Sequence, residues 1–160
     1  MVYNEIYGVP VKIVRPFNVY GPGMRLDDYR VIPNFVSCMF KRNPLPVYGA
    51  GNQTRTFCYI SDAITGFFKV LFSENNGEPF NVGNDDQEIS ILYLGQLIVD
   101  LFDYKAGLMH DVGINDAYSQ GDPKRRYPDL TKIRNLGYNP KISLNAGLKR
   151  FVEWAKETQH

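Results

Sequence analysis

Val11-Lys12-Ile13-Val14-Arg15-Pro16-Phe17-Asn18-Val19-Tyr20-Gly21-Pro22-Gly23 is the stretch that decides the fold. A short run of β-branched residues, 11–14, reads as a buried strand, and it ends abruptly in Arg-Pro and a Gly-Pro-Gly turn. In open α/β sheets, ligands sit in the crevice beyond the carboxyl ends of the strands. The loop over 16–25 is therefore the first place to look for chemistry.

Outward from this stretch, strand and helix patterns alternate. Residues 1–8 read as the last turns of a helix, with Val2, Tyr3 and Ile6 able to share an apolar face and Gly8 placed as a C-cap. An apolar helical pattern over 32–41 stops before Asn43-Pro44, and the β-rich 54–60 predicts a strand. Ser61-Asp62 predicts the N-cap of a helix reaching to about residue 72. Strands are expected over 79–82 and 108–112, and helices over 90–102, 129–136 and 144–156, with a polar, aromatic loop over 113–127. The alternation predicts an α/β protein with no internal repeat.

Composition narrows the function classes. With 44% apolar and 22% charged residues in 160, the chain has the balance of a soluble globular domain. Eighteen basic and 17 acidic residues give a net charge of +1, so no global field recruits nucleic acid, and any anion site must be local. Basic residues are scattered apart from Lys124-Arg125-Arg126. Cys38 and Cys58 fit neither a disulfide framework nor a metal-ligand spacing, although a lone bridge between them stays open. His110 and His160 lie too far apart in sequence to suggest a zinc site. No apolar run is long enough to span a membrane, and a cytoplasmic location is expected.

Two further stretches carry motif-like spacing. The first is Pro44-Leu45-Pro46-Val47-Tyr48-Gly49-Ala50-Gly51-Asn52-Gln53-Thr54-Arg55-Thr56-Phe57-Cys58-Tyr59-Ile60-Ser61-Asp62. The second is Gly121-Asp122-Pro123-Lys124-Arg125-Arg126-Tyr127-Pro128-Asp129, followed by Leu136-Gly137-Tyr138-Asn139-Pro140. With the opening stretch, and in this order, they resemble the C-terminal half of the extended short-chain dehydrogenase/reductases of the NAD-dependent nucleotide-sugar epimerase/dehydratase family, in wording closest to UDP-glucuronate decarboxylase-like members.

The resemblance implies the last strands of an NAD(P)-binding Rossmann-like sheet plus a smaller substrate-binding lobe. It divides the chain into 1–25, the end of the Rossmann-like domain, and 26–160, a nucleotide-sugar-binding lobe, with 75–90 returning to the Rossmann sheet. It implies a UDP- or dTDP-sugar substrate, NAD as cofactor, reaction through a 4-keto sugar, and the homodimer common in the family. By the same resemblance Pro46 and Tyr48 line the nucleobase pocket and Arg55 holds the diphosphate. An arginine fork suits that task because it makes paired charge-assisted hydrogen bonds. Arg126 is the first choice for a second diphosphate contact and Arg125 the second. Ser119-Gln120-Gly121-Asp122 departs from the Arg-x-Gly-Asp seen in some relatives at this place. Asn18 is assigned to a sugar–diphosphate contact, Arg30 and Val31 to the segment closing over the nucleotide, and Pro16 and Phe17 to the nicotinamide side.

Bland readings stand beside several of these. Tyr48 next to a proline also suits a core aromatic, Arg55 a strand-end surface cation, and Arg125-Arg126 a solvated turn. Asp62 is expected to cap the following helix rather than touch a ligand.

Two family features are absent from this sequence. It contains no Gly-x-Gly-x-x-Gly turn, and none of its 11 tyrosines is followed four residues later by a lysine. In the family that Lys lowers the Tyr pKa so that the phenolate acts as base. The expectation is a chain that binds and orients a nucleotide sugar but does not turn it over alone, the catalytic half lying upstream of Met1. The rival readings are a non-catalytic nucleotide-sugar-binding module, completed in trans, and an inactive truncation product.

Overall fold

Strand β1, Ile13–Pro16, lies parallel to β6, Pro79–Val82, in the register Ile13↔Pro79 through Pro16↔Val82. The computed structural model describes residues 2–113 and 123–158. The strand starts two positions later than the apolar run suggests. The Val11 carbonyl accepts the Gly77 N–H at 2.9 Å, and the Lys12 ammonium is drawn to the Ser73 and Asn75 carbonyls. Those residues therefore bind the turn before β6 rather than β6 itself.

Parallel neighbours need a long crossover. Here it carries β2 (Val19–Tyr20), α2 (Val31–Phe40), β3 (Leu45–Tyr48), β4 (Thr54–Arg55), β5 (Cys58–Tyr59) and α3 (Ile60–Leu71). Helix α3 then packs on both β1 and β6. The predicted strand over 54–60 is two short strands. Thr56 and Phe57 separate β4, which joins one sheet, from β5, which pairs in parallel with β2. Strand β3 pairs in parallel with β8, Leu108–Val112. Strand β4 is the middle of a three-stranded sheet between antiparallel β7 (Ile89–Ser90) and parallel β9 (Arg125–Arg126). The predicted loop over 113–127 thus contains a strand, and residues 114–122, including Ser119 to Asp122, lie outside the described residues.

Helix α1 (Val2–Tyr7) ends as its sequence predicts. Gly8, at φ 66°, closes it with an N–H to the Asn4 carbonyl at 3.0 Å, but no α1 residue is buried. Helix α4 (Ile91–Leu101) opens on Ser90, whose Oγ accepts the Tyr93 N–H at 3.0 Å. Helix α5 is short, Thr131–Arg134, and α6 runs Leu144–Thr158.

Among the described residues two apolar cores result. The larger gathers Phe35 and Val36 of α2, Leu45 and Val47 of β3, Leu94 and Ile98 of α4, and Leu148 and Phe151 of α6. The smaller holds Val70, Phe80, Val82, Ile133 and Tyr138. Each such side chain contributes about 1.5–3 kcal/mol when fully buried. Tyr20 roots the larger core beneath α6, donating to the Leu144 carbonyl at 3.2 Å. A Cβ on Gly147 would come within 2.1 Å of its oxygen, so that helix turn has to be glycine.

Asp62 does not cap α3, which begins at Ile60 with Tyr59 as N-cap and no side-chain cap. Its Oδ2 accepts the N–H groups of Lys141 (3.0 Å) and Ile142 (2.9 Å), tying α3 to the segment before α6. The role is structural, as expected, but between elements rather than within one. Both cysteines are free thiols. Burial pushes the Cys58 thiol up to about 11. Among the described residues no helix is long and apolar enough to cross a membrane, and no group of three His, Cys, Asp or Glu could hold a metal ion.

Candidate functional site

A cleft of about 950 Å³ opens between the β1–β2 loop, the start of α2, and strands β3, β4 and β9. Its size falls in the range of small-molecule sites, roughly 300–1,000 Å³. Seven of the residues singled out in the sequence line it: Asn18, Arg30, Val31, Pro46, Tyr48, Arg55 and Arg126.

Arg55 and Arg126 are brought together by register. Strands β4 and β9 pair in parallel with Thr54 opposite Arg125 and Arg55 opposite Arg126. Side chains alternate between faces along a strand. Arg55 and Arg126 therefore project together into the cleft, and Thr54 and Arg125 project together from the other face. Adjacent strands lie about 4.8 Å apart. Like charges directly opposite on neighbouring strands repel, and an anion between two such guanidinium groups turns that repulsion into two attractions. Arg55 is 6% exposed, and its Nη1 donates to the Thr54 carbonyl at 2.7 Å. It is no surface cation. Arg126 is exposed at the cleft.

Arg125 stands apart from the cleft. Its Nε and Nη2 grip the two oxygens of Glu88 at 2.9 and 2.8 Å, and that guanidinium holds the Glu88 carboxyl well below the usual range, at about 2. Of the two arginines, ranked Arg126 before Arg125 from the sequence, strand alternation places Arg126 on the cleft side and Arg125 on the other.

Asn18 lines the cleft in a left-handed conformation, φ 41°, which Asn tolerates better than most residues. Its Nδ2 donates to the Thr56 carbonyl at 2.7 Å, and its own carbonyl accepts the Cys58 N–H at 3.2 Å. One amide donor is thus committed to stitching the loop onto the chain just beyond Arg55. The Oδ1 acceptor and one N–H remain for a ligand.

Arg30 is the N-cap residue of α2. Its guanidinium is held by Asp28 Oδ2 at 3.0 and 2.6 Å, and its N–H by Asp28 Oδ1 at 2.9 Å. Those contacts raise the Arg30 pKa and lower that of Asp28. The Arg30 side chain is 62% exposed and that of Asp28 25%, and pairs at the surface contribute about 0–1 kcal/mol. Tyr48 is 42% exposed, which places it in the cleft wall and removes the core reading.

Pro16 and Phe17 lie outside the cleft, at the carboxyl end of β1. Pro16 is exposed, and Phe17 is half-buried, with its N–H on the Val82 carbonyl at 2.8 Å. A Cβ on Gly83 would sit 3.1 Å from Phe17, so the residue packs on the end of β6. Both stand at the carboxyl end of a parallel strand, the end at which open α/β sheets bind ligands in general. No residue of this sequence forms the Gly-rich turn that cradles the pyrophosphate.

Sequence reasoning passed over Met24, Tyr29 and Lys124, which also line the cleft. Lys124 was visible as part of the basic run. The other two reach the cleft only because the turn after Gly21 folds back, a geometry with no periodic signature.

The comparisons with known proteins bear on the whole chain. The sequence profile of the NAD dependent epimerase/dehydratase family matches residues 1–83. UDP-glucuronic acid decarboxylase 1 of Arabidopsis thaliana is 40% identical over 153 residues, covering 95% of this chain and 34% of that protein. The UDP-N-acetyl-alpha-D-glucosaminuronate decarboxylase of Bacillus cytotoxicus is 35% identical, over 97% of this chain and 49% of that protein. The crystal structure of UDP-glucuronic acid 4-epimerase from Bacillus cereus, in complex with UDP-glucuronic acid and NAD, superposes with a TM-score of 0.83 at 31% identity, over 98% of this chain and 48% of that one. The chain thus spans between a third and a half of the length of the curated relatives it matches. With parallel strands joined through α3, a cleft beside them, and a family profile matched over 1–83, the chain belongs to the NAD dependent epimerase/dehydratase family.

Proposed function

We propose that this chain is the nucleotide-sugar-binding portion of an NAD-dependent epimerase, dehydratase or decarboxylase, and that its cleft takes the diphosphate of a UDP- or dTDP-sugar. The observation that carries the reading is the register pairing of Arg55 with Arg126 on the cleft side of the β4–β9 ladder. The chain is almost neutral overall, so this local pair is what selects an anion. Pro46 and Tyr48 supply a flat apolar wall suited to a base, and Asn18 and Arg30 supply polar groups nearer the loop. The related epimerase in complex with UDP-glucuronic acid and NAD supports the same chemistry.

NAD itself, when bound, supplies hydride transfer. Of its contacts, this chain offers Pro16 and Phe17 at the end of β1, and no Gly-rich turn. The residues present bind and orient a nucleotide sugar, which is how remote binding energy serves a reacting centre. The sequence has no Tyr-x-x-x-Lys, so the chain alone is not expected to turn substrate over.

Isothermal calorimetry of the chain with UDP, dTDP, UDP-glucuronate and inorganic phosphate tests the reading. Saturable binding of the nucleoside diphosphates, with phosphate far weaker, is expected. An absence of heat with every nucleotide would refute it.

A further inference from the structure

The β7–β4–β9 sheet has a second face, turned from the cleft, and one side chain spans it. Glu88 stands immediately before β7, yet its Oε1 accepts from the Thr54 hydroxyl on β4 and from Arg125 Nε on β9, at 2.9 Å. Its Oε2 accepts from Arg125 Nη2 at 2.8 Å. The carboxylate thus reaches across two strand spacings of about 4.8 Å each. Residues 85–88, ahead of β7, make one more contact with the flank of β9, and Arg125 is packed locally. Tyr127 donates to the Asp85 carbonyl at 3.0 Å, and the Arg125 guanidinium lies 4.8 Å from the centre of the Tyr127 ring.

Strand β9 needs such help. It is two residues long, and its main-chain hold on β4 includes the Thr54 N–H to the Lys124 carbonyl at 2.9 Å. Its register sets Arg126 directly opposite Arg55.

From this geometry we infer that Glu88 is a positioning residue for the anion site. By gripping Arg125 on the back of the sheet, it holds Arg126 on the front at one strand spacing from Arg55. It touches no ligand. The inference rests on the nucleotide reading above, and it separates the two adjacent arginines by role: Arg126 faces the ligand, and Arg125 is the handle by which the strand is held.

The test pairs UDP calorimetry with amide hydrogen exchange at residues 124–127 on the full chain. Glu88→Gln is expected to weaken UDP binding about three- to five-fold, the scale of a partly exposed ion pair, and to speed exchange at those amides by a similar factor. The charge swap Glu88→Arg with Arg125→Glu is expected to restore both to within about two-fold, a rescue that a ligand role for Arg125 would forbid. Unchanged affinity and exchange in Glu88→Gln would overturn the inference, as would failure of the swap in a chain with wild-type melting. Should Glu88→Gln unfold, Thr54→Val removes one of the three contacts and is expected to loosen β9 exchange about two-fold, no change counting against the tie. If the unaltered chain binds no UDP, the nucleotide reading falls and the affinity claim with it, and exchange alone then decides whether Glu88 holds the strand.

Discussion

Replacing Arg55 is the sharpest perturbation of the cleft. Arg55 is 6% exposed as a residue, so solvent screens it little, and it lines the cleft beside Arg126. A hydrogen bond to a charged group contributes about 1.5–3 kcal/mol, so Arg55→Lys, which keeps the charge but loses the fork, should cost about 1.5 kcal/mol of nucleotide affinity. Arg55→Ala should cost about 2–3 kcal/mol, or roughly 30- to 150-fold in Kd. The control is Arg134→Ala. Arg134 pairs with Asp85 at 2.7 Å away from the cleft, is 43% exposed at its side chain, and should change Kd by less than about two-fold. Calorimetric titration of UDP into each variant provides the numbers, and thermal melts confirm that each is folded. Equal losses for Arg55→Lys and Arg134→Ala, both folded, would refute the phosphate role of Arg55.

Two stability predictions follow from close contacts and buried acids. Gly147→Ala drives a Cβ toward the Tyr20 oxygen and should destabilise by about 1–3 kcal/mol in urea unfolding, with Tyr20→Phe in the same chain returning part of the loss. Burial raises the Cys58 thiol to about 11, so the folded state holds that proton longer than the unfolded state, whose thiol titrates near 8.5. Its contribution is complete below pH 8.5 and is lost as pH rises toward 11, so Cys58→Ala should lose less melting temperature than wild type across that window. Identical slopes would show that Cys58 does not titrate as described. Tyr20 and Tyr138, whose hydroxyls burial also raises, begin to cost stability above the unfolded tyrosine value of about 10, so the slopes are compared between about pH 8.5 and 10.

The residues that reveal the fold are those whose local preference and global role agree. Residues 13–16 are extended, begin with the β-branched pair Ile13-Val14 and lead into a Pro/Gly turn, and Ser90 and Gly8 cap the helices their neighbours form. Where tertiary pairing sets the outcome, the sequence was silent. The 54–60 run looks uniform, yet it divides because β4 and β5 answer to different partners. The Arg125–Arg126 choice depends on which strand face meets the cleft, a parity fixed only by register with residues far away in the chain. Asp62 has the composition of a cap but is captured by the N–H groups of Lys141 and Ile142, which no local pattern announces.

Helix α3 and its C-cap residue show solvent a row of apolar side chains, Ile64, Phe68, Leu71 and Phe72, with the two phenyl rings stacked at 5.8 Å and 6°. Helix α1 does the same with Val2, Tyr3, Ile6 and Tyr7, each at least 60% exposed. Among the described residues β1 has β6 as its only strand partner. Surfaces of this kind make colloidal behaviour, rather than folding, the quantity that governs handling of the isolated chain. Its self-association will rise with concentration and its solubility will fall with added sulfate, and substituting Phe72 by a charged residue is the first change that should raise that solubility.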